Sequence, residues 1–331
     1  MFLAGDIGAT KTQLGVFSSD RGLRNPFFEA EFSSAQYPNL EAIVSEFLQQ
    51  VHQPLRTAVF GVAGPVMGGQ ADITNLPWLI DEKILGRLLN VSSIRLINDL
   101  EAMACAVPLL TSSDLCILNR GDATNGGAIA IIAPGTGLGE AFLIHDGSCY
   151  HGHASQGGHA DFAPNNLLEE ELWHYLYKKH GHVTYEMVCS GRGISNIYRF
   201  LRNRRSDEEP PWLSEKLANE KDSTPIIVDD ATKSEKPCDL CVQAIQLFVS
   251  ILGAEAGNMA LKVLATKGVY ITGGLPWRVL PFLQDGRFME SFREKGPMTD
   301  LVSRIPVHVI LYPKVALMGA ACYASRLLSE I

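Results

Sequence analysis

Residues 2–17 read Phe2-Leu3-Ala4-Gly5-Asp6-Ile7-Gly8-Ala9-Thr10-Lys11-Thr12-Gln13-Leu14-Gly15-Val16-Phe17, and this stretch decides the fold. An apolar run, Phe2–Ile7, leads into a small-residue turn at Gly8-Ala9-Thr10-Lys11, and a second apolar run, Thr12–Phe17, follows. The runs are short and bounded by turn residues, as strands are. The pattern returns near residue 128: Ala128–Ala133 is a strand, Pro134-Gly135-Thr136-Gly137-Leu138-Gly139 the turn, and Glu140–His145 a second strand. Two strand–glycine turn–strand units in one chain predict two related halves facing each other across a cleft.

Outward from these units, strands alternate with helices. Apolar residues at 40, 43, 44, 47 and 48 place a helix over Leu40–Gln50. Thr57–Val62 and Ser93–Ile97 read as buried strands, the second running into Asn98-Asp99 and a helix. Helices are expected at Leu167–Lys179, Gly193–Leu201, Asp239–Leu264 and Val315–Leu328, with strands at Val269–Thr272 and Val307–Leu311. This rhythm makes the chain an α/β protein. Residues 202–237 turn polar, with Arg204-Arg205, Asp207-Glu208-Glu209 and Pro210-Pro211, and are expected to form a solvated, mobile surface loop. At 331 residues the chain has length for two domains. They are placed at 1–110 with 313–331 (the smaller) and at 111–312 (the larger).

Hydrophobic residues make up 46% and charged residues 19%, enough apolar surface for real cores, which excludes global disorder. A net charge of −8 argues against a binder of nucleic-acid backbones. No basic segment precedes an apolar one at the start, and no run is read as approaching the ~20 apolar residues of a membrane span, so a cytoplasmic protein is expected. Seven cysteines, an odd number, favour reduced thiols over a disulfide framework. Cys238 and Cys241 form a CxxC without a second pair at metal spacing and open a helical pattern, so they read as packing residues.

Three groups of residues carry chemistry. In Gly5–Lys11, small residues at a strand end let backbone N–H groups approach an anion. Asp6 is a candidate for Mg²⁺, held through water, and Thr10 and Lys11 for phosphate oxygens. A tight hairpin with a surface lysine is an equal alternative for this turn alone. Gly135-Thr136-Gly137 is a second phosphate cradle. It is neither a Walker loop nor a good Rossmann fingerprint, because a strand follows it. Asn98-Asp99 lies at a strand's C-terminal end, where open α/β sheets place ligands. Asp99 can take the proton of a sugar hydroxyl and Asn98 can orient the sugar, although either residue also suits a helix N-cap. Gln156, His159 and Glu186 complete a polar set suited to a buried polyol. His151, His153 and His159 lack cysteine partners at short range, and a metal site there is not favoured.

The segments GDIGATKTQLGVF, TNLPW, INDLEAMA, APGTGLGEAFL, QGGHADFAP, EMVCSGRGISNIY and GGLPWRVLPFL, in this order across nearly the whole chain, resemble bacterial-type glucokinases. The resemblance is to the group without the structural zinc of the repressor–open-reading-frame–kinase relatives. It implies a two-domain actin-like ATPase (ribonuclease H-like) fold with an interdomain cleft that closes on glucose and Mg-ATP, and a homodimer. It implies Asp99 as general base on the glucose 6-hydroxyl, with Asn98, His159 and Glu186 holding other hydroxyls. Asp6, Gly8, Ala9, Thr10, Lys11, Gly135, Thr136, Gly137, Gly273 and Gly274 would line the nucleotide site. Two departures stand out. The family has a second glycine where this chain has Ala9, a residue that would crowd the turn at a positive φ. It has Glu where this chain has Gln156, which points to weaker glucose binding or to another hexose. A sugar sensor without catalysis and an actin-like filament protein remain rival readings.

Overall fold

The computed structural model describes residues 1–73, 76–91, 93–205 and 209–330. Thr74 and Asn75 of the TNLPW segment, and Asp207 and Glu208 of the polar stretch, lie outside the described residues. In chain order the first elements are β1 (Phe2–Ile7), β2 (Lys11–Phe17), β3 (Phe28–Ser33), α1 (Leu40–Leu48), β4 (Thr57–Val62), β5 (Val66–Met67), β6 (Gln70–Asp72), β7 (Leu79–Asp81), α2 (Glu82–Leu89), β8 (Ser93–Asn98) and α3 (Asp99–Ala106). There follow β9 (Leu115–Asn119), β10 (Ile129–Pro134), β11 (Leu138–His145), β12 (Tyr150–Ser155), α4 (Leu167–His180), α5 (Gly191–Arg204), α6 (Pro211–Ala218), α7 (Thr224–Lys233) and α8 (Asp239–Lys262). The last are β13 (Gly268–Ile271), α9 (Leu280–Gln284), α10 (Arg287–Arg293), α11 (Thr299–Ser303), β14 (Val307–Ile310) and α12 (Val315–Glu330).

The chain divides into two compact units. Unit 1 holds Met1–Thr111, Cys149–Ala154 and Tyr312–Ile331, and unit 2 holds Ser112–Ser148 and Ser155–Leu311. The small segment Cys149–Ala154, assigned from the sequence to the larger division, groups with unit 1.

In unit 1 a five-stranded sheet has the order β3-β2-β1-β4-β8. β1 is antiparallel to β2 and parallel to β4, and β4 is parallel to β8. Side chains alternate across β1 as the pleat requires. Leu3 and Ile7 join one core cluster with Phe60, α1 and Leu85 of α2, while Phe2 and Ala4 join another with Ala102 of α3 and Leu317, Ala320 and Ala324 of α12. Asn39 starts α1 by accepting the N–H of Ala42 at 3.0 Å, satisfying one of the helix's open donors. α3 and α12 pack closely at Gly319, where a Cβ would collide with the carbonyl oxygen of Ala102. A small three-stranded sheet, β5-β6-β7, completes the unit.

The six-stranded sheet has the order β12-β11-β10-β13-β14-β9. Its β10 is antiparallel to β11 and parallel to β13, and β13 is parallel to β14. The strand pattern around β10 thus repeats the pattern around β1. The core of unit 2 gathers β10, β13 and β14 with α5, α7, α8 and α10. α8 is long and apolar enough to cross a membrane, which the sequence reading did not notice, but 78% of its most apolar window is buried inside the fold. It is a core helix.

The polar stretch at 202–237 is not the expected loop. α6 and α7 occupy half of it, with Leu213 buried from the first and Ile226, Ile227 and Val228 from the second. Proline at the first turn of each helix fits, because the missing N–H has no intrahelical partner there. Cys238 and Cys241 are buried free thiols at the start of α8.

Candidate functional site

Unit 1 contributes the end of its sheet. The β1–β2 turn closes with the N–H of Gly8 donating to the Lys11 carbonyl at 3.0 Å. Ser34 steadies it from outside: its hydroxyl donates to the Gly8 carbonyl at 2.7 Å, and its N–H donates to the Thr10 carbonyl at 3.1 Å. Ala9 does not have a positive φ; among the described residues only Asn90 and Leu264 do so without being glycine. The methyl that departs from the family pattern therefore meets no left-handed backbone strain. Lys11 pairs with Glu31 on β3.

Asp6 aligns with Gly61 of β4, and Gly61 with Ile97 of β8, so Asn98 and Asp99 emerge from the same sheet edge as Asp6. A side chain at 61 would press on the Cβ of Ala102, 2.9 Å away. Glycine there lets α3 begin close to the sheet. Asn98 is the N-cap of α3: its Oδ1 accepts the Leu100 N–H at 3.1 Å, and its Nδ2 donates to the Gly64 carbonyl at 3.1 Å. The Asp99 carboxylate also accepts the Leu100 N–H, at 2.9 Å. The capping alternative is thus realised in Asn98, and it fixes Asp99 at the first helical position. Burial pushes the Asp99 carboxyl up to about 6, against hydrogen bonds that pull it down. Burial, and then the charge of Asp99, pushes Asp6 up to about 7, with Lys11 opposing. Two half-buried carboxyls whose ionisation burial opposes, one of them also lifted by the other's charge, mark a place where charge is meant to be handled.

Unit 2 contributes a second cradle. The Gly135 N–H donates to the Gly137 carbonyl at 2.8 Å, and the Gly135 carbonyl accepts the N–H of Gly191, the first residue of α5, at 2.8 Å. A Cβ at Gly135 or Gly274 would meet nothing within 4 Å, so the backbone at both positions is open to an approaching group. Gly273 has φ +95° and lies against Pro134. The sequence-predicted residues of 135–137 and 273–274 are therefore neighbours in this unit, with Thr136 on the same turn.

Glu186 ties this cradle to the sugar-type residues. Its Oε2 accepts the Leu138 N–H at 3.0 Å, and a Cβ at Gly137 would stand 2.5 Å from that oxygen. The turn Gly157–His159 begins at Gln156, whose carbonyl accepts the His159 N–H at 3.0 Å. The Tyr185 N–H donates to the Ala160 carbonyl at 3.0 Å, joining the two loops. His159 and Glu186 line one cavity of about 620 Å³, along with Thr184, Arg192, Asn196 and Arg199. Gln156 is exposed at its turn and is not part of that lining.

Sequence reasoning missed Arg192, Asn196 and Arg199. Their spacing at i, i+4 and i+7 on α5 puts them on one polar face, a signal that was present but read only as helix. It also missed Gly191, whose N–H supports the Gly135 carbonyl of the second cradle, a partnership visible only in three dimensions.

Comparison with known proteins follows from this geometry. The family model described as Glucokinase matches residues 3–327. A curated glucokinase of Nostoc punctiforme is 41% identical over 340 residues, 99% of each chain. The crystal structure of a glucokinase from an Antarctic psychrotroph superposes with a TM-score of 0.82 at 29% identity, covering 98% of each chain. A glucokinase of the ROK family from Streptomyces griseus, solved with glucose and AMPPNP, has a TM-score of 0.63 at 18% identity, covering 98% of this chain and 99% of that one. It shares the fold, the actin-like α/β architecture that the family resemblance implied.

Proposed function

The chain belongs to the glucokinase family, and from that premise we propose a mechanism for the reaction it carries out, ATP-dependent phosphorylation of D-glucose. The observation that carries the mechanism is Asp99: a half-buried carboxyl at a sheet's C-terminal edge, fixed by the α3 cap and raised to about 6. A base with that affinity is ionised at neutral pH yet basic enough to accept a hydroxyl proton as the O–P bond forms.

In this reading Asp99 takes the proton of the glucose 6-hydroxyl, the oxygen attacks the γ-phosphorus of ATP in line, and the bond from that phosphorus to the bridging oxygen breaks as ADP leaves. Asn98, Gln156, His159 and Glu186 hold the remaining hydroxyls. The turn Gly8-Ala9-Thr10-Lys11 and the turn Gly135-Thr136-Gly137 offer backbone N–H groups, hydroxyls and one ammonium to the phosphates, and Gly273-Gly274 leaves the backbone open beside the second turn. The protein thus positions reactants and places charge; the covalent chemistry belongs to ATP. The donor set fits Mg²⁺, because a divalent cation beside Asp6 would offset both the burial and the Asp99 charge that now lift its carboxyl. Asp6 would hold the ion through water. When bound, Mg²⁺ neutralises charge on the β- and γ-phosphate oxygens.

The seven cysteines are held as thiols rather than as disulfides, which supports a cytoplasmic enzyme of glycolytic sugar metabolism. The homodimer rests on the family resemblance. Gln156 narrows the sugar side: exchanging a charge-assisted hydrogen bond for a neutral one costs about 1–1.5 kcal/mol, or roughly tenfold in affinity. A coupled assay for ADP release over a panel of hexoses, with wild type and Gln156→Glu, tests the proposal. Glucose-dependent turnover is expected in both, with KM lower in the variant by up to about tenfold. Turnover with another hexose and none with glucose in either form would overturn the substrate.

A further inference from the structure

Glu140, on β11, is not accounted for by the mechanism. Its residue is 1% exposed, and neither carboxyl oxygen has a hydrogen-bond partner. Burying such a group without a hydrogen bond costs free energy, and its presence therefore calls for a role. Its Oε2 lies against the backbone of Gly157, in the space a Cβ at that position would fill. Gly157 is the middle of the turn whose flanking residues, Gln156 and His159, face the sugar in the proposed function. Glycine at 157 is therefore required by the carboxyl beneath it. The Gly157 N–H is already used, donating to the Ser155 hydroxyl at 3.0 Å, so the turn offers that carboxyl no donor there.

The other groups facing Glu140 set its charge state. Glu255 of α8 is fully buried, held by the Lys262 ammonium at 3.1 Å and the Asn258 amide at 2.9 Å. The same amide donates to the Tyr185 hydroxyl at 3.0 Å. Burial, and then the Glu255 charge, raise the Glu140 carboxyl to about 7, with Lys262 opposing. The Cys189 thiol, raised by its own burial and by Glu255, Glu140 and Glu169, adds no cation. Burial lowers the Lys295 ammonium, with the charges of Glu255, Glu294 and Glu169 opposing. An ionised Glu140 would thus face a like charge with no hydrogen bond of its own. The nearest approach to its carboxyl is the Gly157 backbone, in the short turn at 156–159.

We infer that Glu140 is a positioning residue for the sugar-facing turn: uncharged, its carboxyl supports Gln156–His159 from beneath, and ionised, it displaces that turn and weakens glucose binding. The inference rests on the proposed role of the turn in holding glucose. It predicts that glucose affinity falls on the alkaline side while the chemical step does not. For a group titrating at about 7 that must be protonated in the complex, the glucose Kd rises about tenfold between pH 6 and pH 8.

Calorimetric titration of glucose into the full-length protein at both pH values tests this without requiring turnover. Wild type is expected to lose about tenfold in affinity, and Glu140→Gln, which keeps the shape and cannot ionise, less than twofold. Glu140→Met, similar in volume and without a buried amide, is the second variant and is expected to behave like Glu140→Gln. In parallel, KM for glucose should follow the Kd of wild type with kcat unchanged between pH 7 and 8. A wild-type Kd that does not change with pH, or a tenfold change retained in both variants, overturns the inference. No glucose binding by wild type at either pH overturns the substrate reading itself, and the inference with it.

Discussion

If Asp99 is the base, turnover follows its ionisation, and the structure sets the pH at which this happens. A carboxyl at the ordinary aspartate value of 3.8 is more than nine-tenths ionised at pH 5, so kcat would be nearly constant from pH 5 to 8. Burial raises Asp99 to about 6. The ionised fraction is then roughly a tenth at pH 5 and nearly complete at pH 7.5, a fall in kcat of about tenfold on acidification. The neighbouring Asp6 also titrates, at about 7, and is lifted in part by the Asp99 charge. The two therefore act as a coupled pair whose apparent values belong to both. The assay is kcat at saturating glucose and Mg-ATP from pH 5 to 8, with the coupling enzymes shown not to limit at each pH. A decline beginning near pH 6 to 7 and approaching tenfold per unit at the acid end is expected. A flat profile over this range would refute the reasoning, since it would leave turnover indifferent to the one group given the proton-accepting role.

Two further expectations concern close backbone approaches. Gly137→Ala puts a methyl 2.5 Å from the Glu186 carboxylate, so Glu186 must shift; KM for glucose should rise several-fold while thermal unfolding moves little, and an unchanged KM would remove Glu186 from the sugar set. Gly319→Ala drives a methyl into the Ala102 carbonyl between α12 and α3, and overpacking of this kind costs about 1–3 kcal/mol or more; a lower unfolding temperature is expected, and an unchanged one would show that the two helices separate freely.

Much of this fold was legible because its strands are short, apolar and bounded by small residues. Phe2–Ile7 and Thr57–Val62 were placed without error, since β4 is buried along its whole length and carries no charged residue to blur the signal. The stretch at 202–237 was misread for the opposite reason. α6 buries a single leucine, Leu213, and charged residues surround it, so composition outweighs periodicity. The short strands β5, β6 and β7 have two or three residues each and leave no period to detect. In the site, residues that combine a special backbone role with chemistry were visible: Asn98-Asp99, and the two glycine turns. Those whose role depends on contact across the fold were not. Glu140 reads as an ordinary polar position in an alternating strand, and only its place beneath Gly157 gives it meaning. Likewise, the concern over Ala9 could be settled only by its backbone angle.

Whether Asp99 is the base is decided by Asp99→Asn, with turnover and glucose binding measured on the same preparation. The amide keeps the size of the side chain and can still accept the Leu100 N–H, so glucose should bind within a few-fold of wild type. The loss of the base should lower kcat by about 10²–10⁴. Turnover within a few-fold of wild type would contradict the mechanism.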